Sequence, residues 1–505
     1  MPNCIKAPAD PEVGARHAVH NSPVALHQQI ISSIKWTAFG KAASQAISWV
    51  VTLYVIRILA PGDYGLMAMV SVVIAFLSTF NEFGLGTALV QSKHIDDKHI
   101  GAVYGAMLLL GIVLSALLAL AAPWIAQFFD EPRLAPILSV AGLQFVLNAA
   151  SVVPESMMQR SMHFKPLSLA DLLGAVTASL ATLALALGGH GVWSLVLGNL
   201  AGVLVRLAIL IALNPRRVLP NGNFRAAVSL LSFGSYVTAG RFVSYFMSQA
   251  DVFIGAKLLG KEALGLYTVA LQLASLPVNK AMSIVNQVAF SAISRLQDQQ
   301  AQMQAGLTQA LRWLAYLATP VVYGLACVAP DFVPLVLGPQ WTEAVLPLQL
   351  VALVMPLRMI GALFSTAVNA LGRADIGFKN TLTGAAILPL CFWVGVQWGA
   401  PGLAGAWVVG VPAVLLINFR QTSRVIGLTA RQVGQAVAVP FACAGVMAVV
   451  LLVARGFITQ QQPTWAGLVA QVGIGALVYM GTALLLDAQL RAKAVQLFKT
   501  VRARW

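Results

Sequence analysis

Charge is scarce in this chain, and acid scarcest of all: 10% of 505 residues are charged, with 17 Asp and Glu against 32 Lys and Arg. At 58% hydrophobic residues and a mean hydropathy of +0.79, that scarcity excludes an ordinary soluble globular protein. The shortage of acid also produces the net charge of +15, which invites a nucleic-acid reading. Placement rejects it, because most Lys and Arg fall in loops and tails assigned to the cytoplasmic side; the high pI then reports membrane topology. Cysteine is nearly missing, and Cys4, Cys327, Cys391 and Cys443 stand singly, with no disulfide framework or zinc spacing. No Gly-x-x-x-x-Gly-Lys-Ser/Thr loop occurs, which argues against ATP hydrolysis in this chain. Long loops are lacking too. The longest, near 287–311, is too short for a catalytic domain, so no catalytic residue, metal or cofactor is expected and the chain reads as a transporter rather than an enzyme. His94 and His99 flank two aspartates in a solvated loop with no further ligands. The first 33 residues lack the apolar core and cleavage site of a signal peptide.

What is present is a repeat. Gly40 to Leu66 matches Gly240 to Leu266 at a constant offset of 200, pairing Lys41 with Arg241, Ser44 with Ser244, Ser48 with Ser248, Arg57 with Lys257 and Gly65-Leu66 with Gly265-Leu266. Each copy opens with an apolar helix interrupted by polar residues on one side. At about 100° per residue, Lys41, Ser44, Gln45, Ser48 and Thr52 share a face, as do Arg241, Ser244, Tyr245 and Ser248. Such a stripe is costly in hydrocarbon unless it faces protein or water, so the two helices are expected to wall a polar passage.

Hydropathy and turn residues predict an all-α polytopic protein of 14 transmembrane spans with both termini cytoplasmic. A cytoplasmic tail, 1–33, which ends in a short interfacial helix at 26–34, precedes a first six-helix lobe, 34–213. A basic loop, 214–232, joins it to a second lobe, 233–419; two further spans, 420–486, and a basic tail, 487–505, complete the chain. The repeat continues past its first helix pair, since Pro136 matches Pro347 and Gly191 matches Gly402 at an offset of 211. An even number of spans per copy gives both lobes one orientation, with a substrate cleft between them. Span 4 is expected over 134–153 and span 8 over 264–285, followed by a polar inner segment, 286–311.

Five cations fall inside spans: Lys41, Arg206, Arg241, Lys280 and Arg358. Lys41 and Arg241 lie about 11 Å from the inner end by helical rise, and with Arg358 near mid-membrane they are the candidate substrate-binding cations. Arg206 and Lys280 read as snorkelling or structurally paired. Among the few intramembrane acids, Glu82 and Asp251 are candidates for ion coupling or pairing, Asp251 with Lys257 nearby, while Asp171 and Glu155 read as interfacial. A cavity with more cation than acid suits an anionic headgroup such as a diphosphate.

The segment Arg57-Ile-Leu-Ala-Pro-Gly-Asp63-Tyr64-Gly65-Leu66, followed by Asn81-Glu-Phe-Gly84-Leu-Gly86-Thr-Ala-Leu-Val-Gln91, resembles the Wzx-type polysaccharide flippases of the multidrug/oligosaccharidyl-lipid/polysaccharide exporter superfamily, in the exopolysaccharide branch. The resemblance implies an inner-membrane protein that moves an undecaprenyl-diphosphate-linked oligosaccharide between leaflets by alternating access, working beside a polysaccharide polymerase and co-polymerase. A drug/cation antiporter of the same fold would want a carboxylate-rich site, and a membrane polymerase or ligase would want a long periplasmic loop; neither fits as well.

Overall fold

The computed structural model describes residues 45, 48–81, 89, 96–214, 218–221, 245, 247–295, 299–458, 463–488 and 490–492, and all regular structure among them is helical. The helices in order are α1 (Ser48–Ile58), α2 (Pro61–Asn81), α3 (Asp97–Phe128), α4 (Leu134–Ala141), α5 (Leu143–Arg160), α6 (Phe164–Leu187) and α7 (Val192–Ala212). The second half supplies α8 (247–258), α9 (Gly260–Arg295), α10 (Gln300–Phe332), α11 (Val345–Ala370), α12 (Ala374–Gly395) and α13 (Gly399–Ile426), then α14 (Ala430–Ile458) and α15 (Trp465–Leu486). Ten described segments are long and apolar enough to cross a membrane, and one of them, Ala374–Ile426, holds both α12 and α13. The chain is a multi-pass membrane protein. Its perimeter is apolar, with Trp124 70% and Leu477 76% exposed, as a hydrocarbon-facing surface requires.

Small residues set how closely these helices approach. Between α6 and α7, a Cβ on Gly198 would lie 1.9 Å from the Thr182 hydroxyl and one on Gly202 2.6 Å from the Ala178 Cβ; the α12–α13 hairpin closes the same way at Gly395 and Gly402. The closest crossing joins the two halves of the chain. A Cβ on Gly65 of α2 would fall 1.8 Å from the Lys261 carbonyl oxygen, and one on Gly265 of α9 would fall 1.8 Å from the Pro61 carbonyl oxygen. The two contacts map onto each other at the repeat offset of 200, Gly65 onto Gly265 and Pro61 onto Lys261, so the crossing is reciprocal: what α2 does to α9, α9 does to α2. Pro61 starts α2 where its fixed φ suits a first turn, and Asp63 accepts a hydrogen bond from the Val192 amide at 3.1 Å, capping α7.

The same end of the molecule carries crossed polar contacts. Arg57, at the end of α1, donates to the carbonyls of Leu335 and Val336 just beyond α10. Lys257, its repeat partner at the end of α8, donates to the Phe128 carbonyl ending α3, at 2.6 Å, and pairs with Asp130 at 2.7 Å. Each cation thus sits at the negative end of a helix from the opposite half. Lys261 pairs with Glu131 at 2.7 Å, again across the halves. Trp341, fully buried, donates its indole N–H to the Ile56 carbonyl at 2.8 Å and packs edge-on against Tyr64 at 5.5 Å.

The structure corrects several boundaries. Span 4 runs past Val153 to Arg160 and is split at Gly142; its last turn lies where Arg160 reaches the Leu89 carbonyl at 3.0 Å. The stretch 286–311, expected as a polar inner segment, is helical to Arg295 and again from Gln300, because Gln, Ser and Ala suit helices that continue beyond hydrocarbon. The pair α14 and α15 is fastened to α10: Asp331 accepts from Gln471 at 2.8 Å and pairs with Arg455 at 3.3 Å, while Asp487 accepts from Tyr316 at 2.7 Å and from Arg312.

Candidate substrate cavity

Below the Gly65/Gly265 crossing a cavity of about 630 Å³ opens between the halves. Ser48 and Thr52 of α1, Ser71 of α2, Ser179 and Thr182 of α6 and Asn199 of α7 line it from the first half. Gln249 of α8 and Thr268, Gln272 and Ser275 of α9 line it from the second. The lining begins within a turn of the crossing, at Tyr64 and Thr268, and follows both helices away from it. A second cavity of about 500 Å³ shares Met67, Ser71 and Asn199 with the first and continues along α2 to Ser78 and Thr79, with Gln144 of α5 opposite. Asn199 donates to the Gln144 side-chain oxygen at 3.4 Å, and Ser48 and Ser179 share a hydrogen bond at 3.3 Å. Neither cavity has a Lys, Arg, His, Asp or Glu among its described lining residues. Its polar surface is hydroxyl and amide, groups that both donate and accept and that carry no charge to desolvate.

The sequence-predicted residues fall into three sets. Lys41, Ser44, Glu82, Arg241 and Ser244 lie outside the described residues, as do 1–33 with the proposed interfacial helix, most of 214–232 and the tail from 493. Of the polar stripe on the first helix, Ser48 lines the large cavity, with Gln45 half-buried one turn before it. On the second copy, Tyr245 donates its hydroxyl to the Val72 carbonyl of α2, bridging the halves, and Ser248 lines a separate cavity of about 270 Å³ within the second half.

Arg358 is in that second-half cavity, away from the larger one. Its guanidinium lies 4.3 Å over the Trp407 ring; Trp407 donates to the Tyr267 hydroxyl at 2.8 Å, and Tyr267 donates to Asp251. Asp251 is 1% exposed, and its Oδ1 has no hydrogen-bond partner among the described residues. The expected Asp251–Lys257 pair does not form: Lys257 turns to Asp130 and α3, and Asp251 turns inward to Tyr267, because the two lie on different faces of α8. Arg206 pairs with Glu155 at 2.9 Å and Asp171 at 2.8 Å, a structural cluster that joins α5, α6 and α7.

Most of the cavity was not singled out from sequence. Ser71 and Ser78 on α2, Ser179 and Thr182 on α6, and Thr268, Gln272 and Ser275 on α9 recur at helical spacing, the same signal that marked Ser48 and Thr52 on α1. Trp341 and the Arg57 and Lys257 contacts carried no such mark.

Residues 54–346, more than half of the chain, match the family described as "Polysaccharide biosynthesis protein". The chain belongs to that family. Among its relatives, "Lipopolysaccharide biosynthesis protein WzxC" of Escherichia coli (strain K12) is 26% identical over 426 residues, covering 83% of this chain and 86% of the relative. "Succinoglycan biosynthesis transport protein ExoT" of Rhizobium meliloti (strain 1021) is 25% identical, covering 79% and 81%. Among solved structures, "Lipid II flippase MurJ, inward closed conformation" superposes with a TM-score of 0.72 at 15% identity, over 90% of this chain and 99% of that one. The last likeness is one of fold. The family match spans α2 through α10, and so includes the crossing, the crossed cations and the cavity walls other than Ser48, Val51 and Thr52 of α1.

Proposed function

We propose that this member of the polysaccharide biosynthesis protein family is a flippase that carries an undecaprenyl-diphosphate-linked oligosaccharide across the bacterial inner membrane for exopolysaccharide or lipopolysaccharide synthesis. The observation that carries the reading is the hydroxyl- and amide-lined cavity between the two halves of a membrane-embedded chain. A polar headgroup crossing hydrocarbon needs hydrogen-bonding partners in place of water, and that lining supplies them. The names of the relatives, a lipopolysaccharide biosynthesis protein and a succinoglycan transport protein, support the same substrate class.

In this reading the chain has fourteen spans in two six-helix lobes with α14 and α15 appended, both termini cytoplasmic, and the reciprocal α2–α9 crossing near the pseudo-symmetry axis. The crossing and the crossed cations close the outer face, so the cavity is offered to the inside. Lys41 and Arg241 hold the diphosphate near the inner end, and Ser44 and Ser244 extend the polar stripes beside them. The lipid tail stays in the bilayer. Rocking of the lobes parts the outer crossing and releases the headgroup to a polymerase and co-polymerase. Glu82 and Asp251 are kept as coupling or pairing groups, and Arg358 as a second anion-binding cation. A cationic-drug antiporter is disfavoured because no carboxylate is among the described cavity-lining residues.

The test is reconstitution of the full chain in vesicles holding a polyprenyl-diphosphate-linked, fluorescent disaccharide, with an impermeant quencher reporting transfer between leaflets. The wild type should accelerate transfer, and the Lys41→Ala, Arg241→Ala double variant should lose it while inserting normally. Transfer no faster than in protein-free vesicles overturns the flippase reading; normal transfer by the double variant overturns the cation assignment alone.

A further inference from the structure

The larger cavity and its extension each offer space in the range of small-molecule sites, about 300–1,000 Å³, and their described lining mixes apolar side chains with polar groups that are all uncharged. That combination is selective. A neutral sugar hydroxyl entering it exchanges water for amide and hydroxyl partners at little net cost, since the exchange replaces like with like. A sugar carboxylate or other fixed anion meets no cation among the described lining residues, and burial of an unpaired charge is strongly unfavourable. The two cavities share Met67, Ser71 and Asn199 in their walls, and the described lining of the extension belongs wholly to the first half, through α2, α4, α5 and α7. The sequence places Lys41 seven residues before Ser48, so in the proposed reading the diphosphate cation precedes this surface in the chain.

We propose that the two adjacent cavities together form a saccharide subsite for uncharged sugars, with Asn199 and Ser71, which line both, at its waist as specificity-determining residues and Gln272 lining the larger cavity from the second half. This rests on the flippase reading and names the headgroup chemistry that it left open. The subsite divides the work with the diphosphate cations: charge is met at the inner end, and the sugars are held by groups weak enough to release them when the lobes part. Amides at the waist suit that task, since each offers two donors and an acceptor in one plane and matches vicinal sugar hydroxyls.

The experiment compares two probes in vesicles containing the full chain: polyprenyl-diphosphate-linked glucosyl-glucose, and the same lipid with its outer glucose replaced by glucuronate. The wild type should move the neutral probe at least about tenfold faster than the uronate. Asn199→Lys should narrow that preference to within about threefold by raising the uronate rate, and Asn199→Asp should widen it. Gln272→Lys, on the opposite wall, makes the same test if Asn199→Lys does not fold. Equal rates for the two probes in the wild type, or a lysine variant that slows both in proportion, overturn the neutral subsite. Failure to move either probe faster than protein-free vesicles sinks the flippase reading itself, and the subsite with it.

Discussion

Replacing Gly65 by Ala tests the proposed outer closure at its tightest point. The added Cβ would lie 1.8 Å from the Lys261 carbonyl oxygen and 2.6 Å from its carbon, whereas ordinary contact begins near 3.4 Å. The obstacle is backbone, so no side chain can swing away; α2 and α9 must separate by about 1.6 Å, the shortfall between clash and ordinary contact. Overpacking of this kind costs about 1–3 kcal/mol. If, as proposed, the contact exists only while the outer face is closed, that cost falls on one conformation and shifts the closed-to-open ratio by about five- to 150-fold. Gly265→Ala should act alike, since its Cβ would meet the Pro61 carbonyl oxygen at 1.8 Å. The double variant should fall short of the sum, because once the helices part for one methyl the second finds room. The assay is labelling of Ser71→Cys with an impermeant thiol reagent applied from outside, in a chain whose four native cysteines are replaced. Labelling should speed at least about fivefold in Gly65→Ala, and transfer of the lipid-linked probe should slow. Labelling and transfer at wild-type rates would refute the claim that this crossing closes the outer face.

Three further outcomes are expected. Arg57→Ala and Lys257→Ala should each raise outside labelling by only a few-fold, since partly exposed cations contribute about 0–1 kcal/mol; raising salt should mimic Lys257→Ala more than Gly65→Ala. Arg358→Met should leave outside labelling unchanged and be read by thermal unfolding in detergent, where loss of the Trp407 stack costs about 1–2 kcal/mol; if Arg358 also serves as an anion site, transfer slows beyond what the stability loss explains. Acid should loosen the α10–α15 junction: burial opposes ionisation of Asp487, but hydrogen bonds from Tyr316, the Leu490 amide and Arg312 outweigh it and hold the carboxyl below its ordinary value. Its stabilising contribution is therefore complete above an unfolded pKa of about 4 and is lost as pH falls through the lower folded value, a loss that amide exchange at the end of α15 reads directly.

What could be read beforehand follows from how local each cause is. Hydropathy located the membrane segments because twenty apolar residues announce themselves without knowledge of their neighbours, as in Val192–Ala212. The helix-period stripe on α1 led to Ser48 and the cavity, and the matching glycines at 65 and 265 turned out to touch. Contacts set by distant packing were hidden. Trp341 finds the Ile56 carbonyl 285 residues away, and Asp251 ignores the lysine six residues on to meet Tyr267 on another helix. Helix ends beyond the bilayer were misjudged at Arg160 and Arg295 because hydropathy reports where lipid stops, whereas a helix stops where its hydrogen bonds do.

The strength of the outer closure is constrained by what a flippase must do. Arg57, Lys257 and Lys261 each bond across the halves, yet Arg57 and Lys257 are exposed enough for water to replace their partners when they part. Trp341 is the exception: buried and bonded to Ile56, it would leave two polar groups to be resatisfied if α1 moved away. The contact of Gly65 with Lys261 adds dispersion along a backbone crossing but no hydrogen bond that must be broken. A seam of exposed ion contacts and a bare glycine crossing, with only the Trp341 bond and the half-buried Lys261–Glu131 pair to resatisfy, can therefore open for a few kcal/mol, within reach of the differential binding of one headgroup. Had the same helices met through buried salt bridges, breaking one would cost about 3–5 kcal/mol for each, and the closed state would trap its substrate.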